Sequence, residues 1–133
     1  PSLPRLVIDA RSIVVLIGLD AGTSVVKAAA FADDGAVLRV ASRPTRVLSP
    51  SPGYAEQDVE DTVAAAGEAI REAAAGETPD LIGITAQGDG VWLLDDGGRS
   101  VRPAILWSDA RAASYVARWT ADGVALAAFR RSG

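Results

Sequence analysis

The sequence predicts an α/β fold: a mixed sheet with flanking helices. Two observations lead there. Between Ile13 and Val47, apolar segments rich in β-branched residues alternate with short breaks that contain glycine, the pattern of antiparallel strands joined by tight turns. Beyond Asp58, an amphipathic helical repeat is followed at once by another apolar strand. That spacing is a crossover onto a parallel position in the same sheet.

The elements follow in order. The first strand is expected over Ile13–Leu19 and the second over Val25–Phe31, joined by a tip at Asp20-Ala21-Gly22-Thr23-Ser24. Asp33-Asp34-Gly35 is a hairpin turn signal. A third strand is expected over Ala36–Val47, although Arg39, Arg43 and Arg46 interrupt its alternation. Pro44 cannot donate a ladder hydrogen bond and predicts an edge position or a break. Ser49–Gly53 is a loop by composition. Asp58 is a good N-cap, with Glu60 and Asp61 placed where the helix dipole favours acids. Val59, Val63, Ala66, Ile70 and Ala73 recur at helical spacing, so a helix is expected over Val59–Ala75, ended by Gly76. Asp80–Ala86 is the next strand. Val91–Leu94 reads as a short strand, Asp95-Asp96-Gly97-Gly98 as a turn, and Arg102–Trp107 as the return. Asp109–Trp119 is expected to be helical, with Ala112, Val116 and Trp119 on one face, and Val124–Arg131 to form a last short helix.

Composition narrows the function. With 133 residues the chain can bury a sizeable core as one domain. An apolar content of 49% is that of a folded protein. A net charge of −4 argues against a nucleic-acid or anionic-membrane partner. Without cysteine there is no disulfide framework, and without histidine the usual general base is missing. The apolar run Ile13–Leu19 is too short to span a bilayer, and Asp9 and Asp20 bracket it as a strand. A cytoplasmic protein is the expectation.

The chemistry concentrates at the first hairpin tip. Thr23 and Ser24 offer two hydroxyls and a row of backbone N–H groups, the equipment of a phosphate cradle. Gly22 provides the backbone freedom of the turn, and Asp20 can hold a hydrated Mg²⁺. Lys27 is the only lysine among thirteen basic residues and lies within an apolar strand, where a phosphate would offset the cost of a bare ammonium. The spacing is equally compatible with a polar hairpin tip and one snorkelling lysine. Ligands of open α/β sheets sit beyond the carboxyl ends of strands. Both Asp20–Ser24 and Gln87–Asp89 follow apolar strands expected to be neighbours, so both are expected at one sheet edge. A Walker A loop and a G-x-G-x-x-G fingerprint are absent from the sequence.

Asp20-Ala21-Gly22-Thr23-Ser24-Val25-Val26-Lys27 resembles the first phosphate motif of the FGGY carbohydrate kinases, members of the actin/Hsp70/hexokinase-like ATPases. Three later stretches resemble the same family, in its order: Gly53-Tyr54-Ala55-Glu56-Gln57-Asp58, Ile82–Gly90 and Pro103–Arg111. The resemblance covers residues 13–133, which match only the opening part of the family's N-terminal domain. Residues 1–12 then form a ragged extension. Q-G-D-G together with L-W-S-D-A-R is most similar to the xylulose and erythritol kinases.

That resemblance implies a ribonuclease H-like, actin-like sheet, incomplete at its C-terminal end. The exposed edge of the Asp80–Ala86 strand then invites self-association into homo-oligomers. It implies ATP and Mg²⁺ as cofactors, with Asp20, Gly22, Thr23, Ser24 and Lys27 at the phosphates and Asp20 at the metal. It implies a small sugar or polyol substrate, a ketopentose or erythritol-like molecule, held by Gln87, Gly88, Asp89 and Trp107. Asp89 would accept hydroxyl hydrogens, and Trp107 would pack on the carbon face; a turn aspartate and a core aromatic are the structural alternatives. Asp109 is expected as a helix N-cap, Arg111 as a surface or ion-pair residue, and Glu56-Gln57 as structural. The family's catalytic aspartate, second phosphate motif and adenine pocket all lie downstream of the matched region, so no residue here is assigned as the base. Two readings share these residues: the opening part of a kinase, and a non-catalytic module that binds ligand or partner only. A sugar-free actin-type ATPase is disfavoured by Q-G-D-G and L-W-S-D-A-R.

Overall fold

The computed structural model describes residues 15–132. The expected extension over residues 1–12, and Ile13 and Val14 of the first expected strand, lie outside the described residues. The chain forms two compact units, one from residues 15–44 and 64–86, the other from residues 45–63 and 87–132.

The first unit is a four-stranded sheet with a helix on one face. Strands β1 (Leu16–Ala21), β2 (Val25–Phe31), β3 (Val37–Pro44) and β6 (Leu81–Ala86) lie in the order β3-β2-β1-β6. The first three are antiparallel neighbours, and β6 runs parallel to β1, as the strand–helix–strand spacing requires. Alternation places Ile17, Leu19, Val26, Ala28, Ala30 and Ala41 on one face, where they form the core with Ala69, Ala73 and Ala74 of helix α1 (Val59–Ala74). The small alanines let helix and sheet lie close.

Several boundaries differ from the sequence reading. β1 starts later and runs through Asp20 and Ala21, because these residues pair on both sides, Asp20 with Lys27 and Thr85, Ala21 with Val26 and Ala86. β3 ends at Pro44, which lacks the N–H needed to continue the ladder; Val47 begins a separate strand. Arg39 and Arg43 break the apolar alternation because they serve the helix. Arg39 donates to the carbonyls of Ala73 (2.7 Å) and Ala74 (3.2 Å), closing the C-terminal end of α1. Arg43 pairs with Glu68 (2.9 Å) and Glu72 (2.6 Å) one turn apart. The helix stops one residue early: Ala75 itself turns left-handed (φ 51°) ahead of Gly76 (φ 87°). Asp80 precedes β6, bracketing Val15 through Asp80 N–H to the Val15 carbonyl and Val15 N–H to the Asp80 carboxylate, both 2.9 Å.

β6 is an edge of this sheet, and all six of its residues are exposed, Ile84 at 69% and Leu81 at 60%. An apolar edge of this length is a template for pairing with another chain. The purified chain is expected to self-associate, and Ile84→Lys to shift it towards monomer in size-exclusion chromatography. A wild-type chain that elutes as monomer at all concentrations contradicts this.

The second unit holds a small antiparallel sheet, β4 (Val47–Leu48), β5 (Glu56–Gln57) and β7 (Ala104–Ile105), in the order β4-β5-β7. Asp58 caps the first turn of α1 by accepting from Asp61 N–H at 2.9 Å. The expected strand Val91–Leu94 is reduced to two isolated bridges, Val91 with Ile105 and Leu94 with Ser100. The Asp95 carboxylate draws the chain into a turn instead, accepting from the N–H groups of Gly97 and Arg99. Arg102–Trp107 contributes only β7. Helices α2 (Ala113–Ala121) and α3 (Val124–Ser132) close the unit and carry no buried residue. α2 starts four residues later than expected, with Ala112 at its N-cap, because Asp109 is engaged elsewhere.

Candidate functional site

The hairpin tip lies in the first unit. Gly22 N–H donates to the Val25 carbonyl at 3.2 Å, closing a loop of residues 22–24. A Cβ on Gly22 would sit 2.9 Å from that carbonyl oxygen, so space, and not a positive φ, demands glycine here. Its N–H is thereby spent on the turn. Ser24 is exposed at the tip and Thr23 half-buried.

Asp20 and Lys27 are direct cross-strand partners. Both are exposed, on the face opposite α1, and neither has a side-chain hydrogen bond or ion pair among the described residues. Thr85 joins them from β6, opposite Asp20. These three form the polar part of a shallow depression of about 570 Å³ whose floor is Gly18, Ala29 and Gly83 and whose apolar wall includes Phe31 and Val40. Gly18 keeps the floor open: a Cβ there would meet the Phe31 ring at 3.3 Å. β1 and β6 end in register, Ala21 beside Ala86, so their carboxyl ends share one edge of this sheet. Thr85 was not singled out in the sequence; its sign was a lone hydroxyl at the end of an apolar strand.

Gln87, Gly88, Asp89 and Trp107 lie in the second unit. Gln87 Nε2 donates to Gln57 Oε1 at 2.7 Å. Gly88 and Asp89 are exposed, and Asp89 holds φ at 57°, a left-handed conformation that aspartate tolerates better than most residues. Gly90 is obligatory, since a Cβ would lie 2.9 Å from both the Ile105 carbonyl oxygen and Trp92 Nε1. Trp107 is 61% exposed, so the core-aromatic alternative fails.

The residues expected to be structural form a charged node. Asp109, its side chain only 3% exposed, accepts from Ala55 N–H (2.8 Å) and takes both guanidinium arms of Arg111 (2.7 and 2.8 Å). Arg111 also pairs with Glu56 (2.9 Å), Arg102 pairs with Glu56 (2.6 Å), and the Arg111 guanidinium lies 4.1 Å over the Tyr54 ring. Arg111, first of all through its hydrogen bonds, holds the Asp109 carboxyl far below its ordinary value, and Asp109 holds the guanidinium charged. Asp109 is therefore not the N-cap expected of it. The node joins the Gly53–Asp58 and Pro103–Arg111 motifs; their alternating acids and arginines were the signal in the sequence.

The FGGY family of carbohydrate kinases, N-terminal domain, matches residues 15–133. The chain is 39% identical over 113 residues to the L-xylulose/3-keto-L-gulonate kinase of Escherichia coli (strain K12), covering 81% of this chain and 23% of that protein. It is 37% identical over 125 residues to the erythritol kinase of Brucella abortus (strain 2308), covering 90% and 24%. The crystal structure of xylulose kinase from Rhodospirillum rubrum superposes with a TM-score of 0.73 at 39% identity, over 81% of this chain and 23% of that one. The chain thus spans about a quarter of the length of these relatives. Its structural neighbours are sugar kinases of the actin-like, ribonuclease H-like fold, the fold that the resemblance implied.

Proposed function

The chain belongs to the FGGY family of carbohydrate kinases, and from that membership we propose that it forms the opening part, residues 13–133, of the first domain of an ATP-dependent kinase for a small sugar or polyol. The relatives named for L-xylulose and erythritol support a ketopentose or erythritol-like substrate. The observation that carries the reading is the Asp20–Lys27 couple, unpaired among the described residues, beside a Gly-Thr-Ser hairpin tip. An exposed acid and base left unpaired across a strand pair have no structural work and await a ligand of mixed charge.

In this reading Lys27 and the tip residues Thr23 and Ser24 hold ATP phosphates, and Gly22 keeps the tip tight enough for them to approach. Phosphoryl transfer relies on positioning and charge stabilisation, and these groups supply both. The site fits Mg²⁺ on one count: Asp20 presents a free carboxylate, and Mg²⁺ takes few protein ligands, keeping waters and substrate phosphates. Among the described residues no group of three or more His, Cys, Asp or Glu could hold a metal alone. When bound, the ion neutralises phosphate charge. Asp89 accepts hydroxyl hydrogens of the sugar, Gln87 and Gly88 shape that segment, and the exposed Trp107 indole offers a flat apolar face. A cytoplasmic setting without nucleic-acid or membrane partners accompanies this reading; it is supported by the net charge of −4, and no helix among the described residues is long and apolar enough to cross a membrane.

The test is sugar-dependent ADP release by the full-length protein across pentuloses and small polyols. The 133-residue chain alone is expected to give none, since no histidine is present and no residue is placed as base. Asp89→Asn is the informative variant. It keeps a residue that tolerates the left-handed backbone, whereas Ala there adds strain of about 1–2 kcal/mol. Asn leaves one oxygen as an uncharged acceptor and turns the other into an NH₂ donor, so the loss of a hydrogen bond to a charged acceptor is expected to weaken sugar affinity by about 1.5–3 kcal/mol. Unchanged affinity for every accepted sugar would return Asp89 to a turn role.

A further inference from the structure

We propose that Gln57 is a positioning residue, holding the exposed pair Gly88–Asp89 in place through Gln87. The identity of the ligand they meet rests on the sugar-kinase reading; the positioning does not. Gln57 is 1% exposed, in the central strand of the small sheet, between Val47 of β4 and Ala104 of β7. Its Oε1 receives Gln87 Nε2 at 2.7 Å, so the chain is tied at the residue where β6 has just ended. The other end of the segment is tied four residues later, at Val91. Val91 N–H donates to the Ile105 carbonyl (2.8 Å) and Ile105 N–H returns to the Val91 carbonyl (3.0 Å), while Gly90 packs too close to Ile105 for any side chain.

Ile105 and Gln57 belong to adjacent strands, with Gln57 opposite Ala104 and Glu56 opposite Ile105. One small sheet therefore anchors both ends of the segment, and only Gly88 and Asp89 are left to span between them. The left-handed φ of Asp89 is where the span absorbs its strain. This buried amide holds a side chain from a distant part of the sequence, next to two residues that face solvent.

Gln57→Met keeps length and apolar volume but removes the acceptor. In the 133-residue chain, backbone order parameters at Gly88 and Asp89 from NMR relaxation are expected to fall from about 0.85 to below about 0.6, without change across β1–β3. In the full-length enzyme the sugar KM is expected to rise about five- to tenfold, the effect of one lost hydrogen bond, with kcat and the ATP KM unchanged. Gln87→Met breaks the same bond from its half-buried side and serves if Gln57→Met does not fold. The double variant is expected to fall short of the sum of the single effects, since both lose the Gln57–Gln87 bond. Unchanged order parameters, additive effects, or a loss of kcat in place of a rise in sugar KM overturn the proposal. An enzyme that phosphorylates no sugar would remove the functional reading, while the order parameters would still decide the positioning.

Discussion

Lys27→Met in the proposed full-length kinase is expected to lower kcat about a hundred- to a thousandfold, the range for removing one preorganised charge-stabilising donor, while the sugar KM stays within about twofold. Lys27 sits in β2 with Ala28 and Val26 in the core on either side, yet its own side chain is exposed on the opposite face and pairs with no side chain among the described residues. Its cross-strand partner Asp20 is equally unpaired. Removing the ammonium therefore breaks no hydrogen bond or ion pair among the described residues, and Met retains the apolar stem, so thermal stability should be preserved. What is lost is charge beside the hairpin tip, which matters most as phosphoryl charge redistributes in the transition state. The measurement is steady-state kinetics with ATP and sugar varied in turn, with a melting curve as control. Wild-type turnover in the variant would reduce Lys27 to a snorkelling strand residue.

Arg111→Met is expected to have the largest effect on stability, lowering Tm by roughly 10 °C or more. Arg111 is the hub of the charged node: it grips Asp109 with two arms, pairs with Glu56 and covers Tyr54. Glu56 retains Arg102, but Asp109 would keep only the backbone N–H groups of Ala55 and residue 111. A nearly buried carboxylate without its counter-charge is costly. The same node makes the protein acid-sensitive. Asp109 is depressed in the folded state below its ordinary value of 3.8. Above that value it is ionised in both folded and unfolded chains, and its contribution is complete. As pH falls below 3.8 the unfolded chain binds the proton first, and the contribution is lost progressively down to the folded value. Calorimetry from neutral to acidic pH should show wild-type Tm falling more steeply below that point than Tm of Arg111→Met. Parallel profiles would refute the assignment of the acid sensitivity to this pair.

The order of β1, β2, β3, α1 and β6 was legible because each rests on local rules. Alternation, the Asp33–Gly35 turn, the Asp58 cap and the left-handed exit at Gly76 need no distant partner, and β2 has the limits its apolar pattern drew. The candidate residues were legible for a related reason. A lone lysine in an apolar strand and a Gly-Thr-Ser break are locally expensive choices, which sequence shows directly.

Tertiary structure decided whatever depends on a partner far along the chain. Asp20 lies within β1 because Lys27 and Thr85 complete its ladder on both sides, which no local propensity of aspartate suggests. Val47 left the third strand for a second sheet because Pro44 ended one ladder and Gln57 offered another. Asp109 abandoned the cap of α2 for Arg111 and the Ala55 N–H, and Gln57 was matched to Gln87 thirty residues away. The sequence by itself determined where β1, β2, β3, α1 and β6 lie in order and which residues are unusual choices for their place, because hydrophobic period and turn geometry act over a few residues. Only the tertiary structure decided which polar groups are satisfied and which stand free, because a buried donor or charge takes the partner that best offsets its desolvation, wherever in the chain that partner lies.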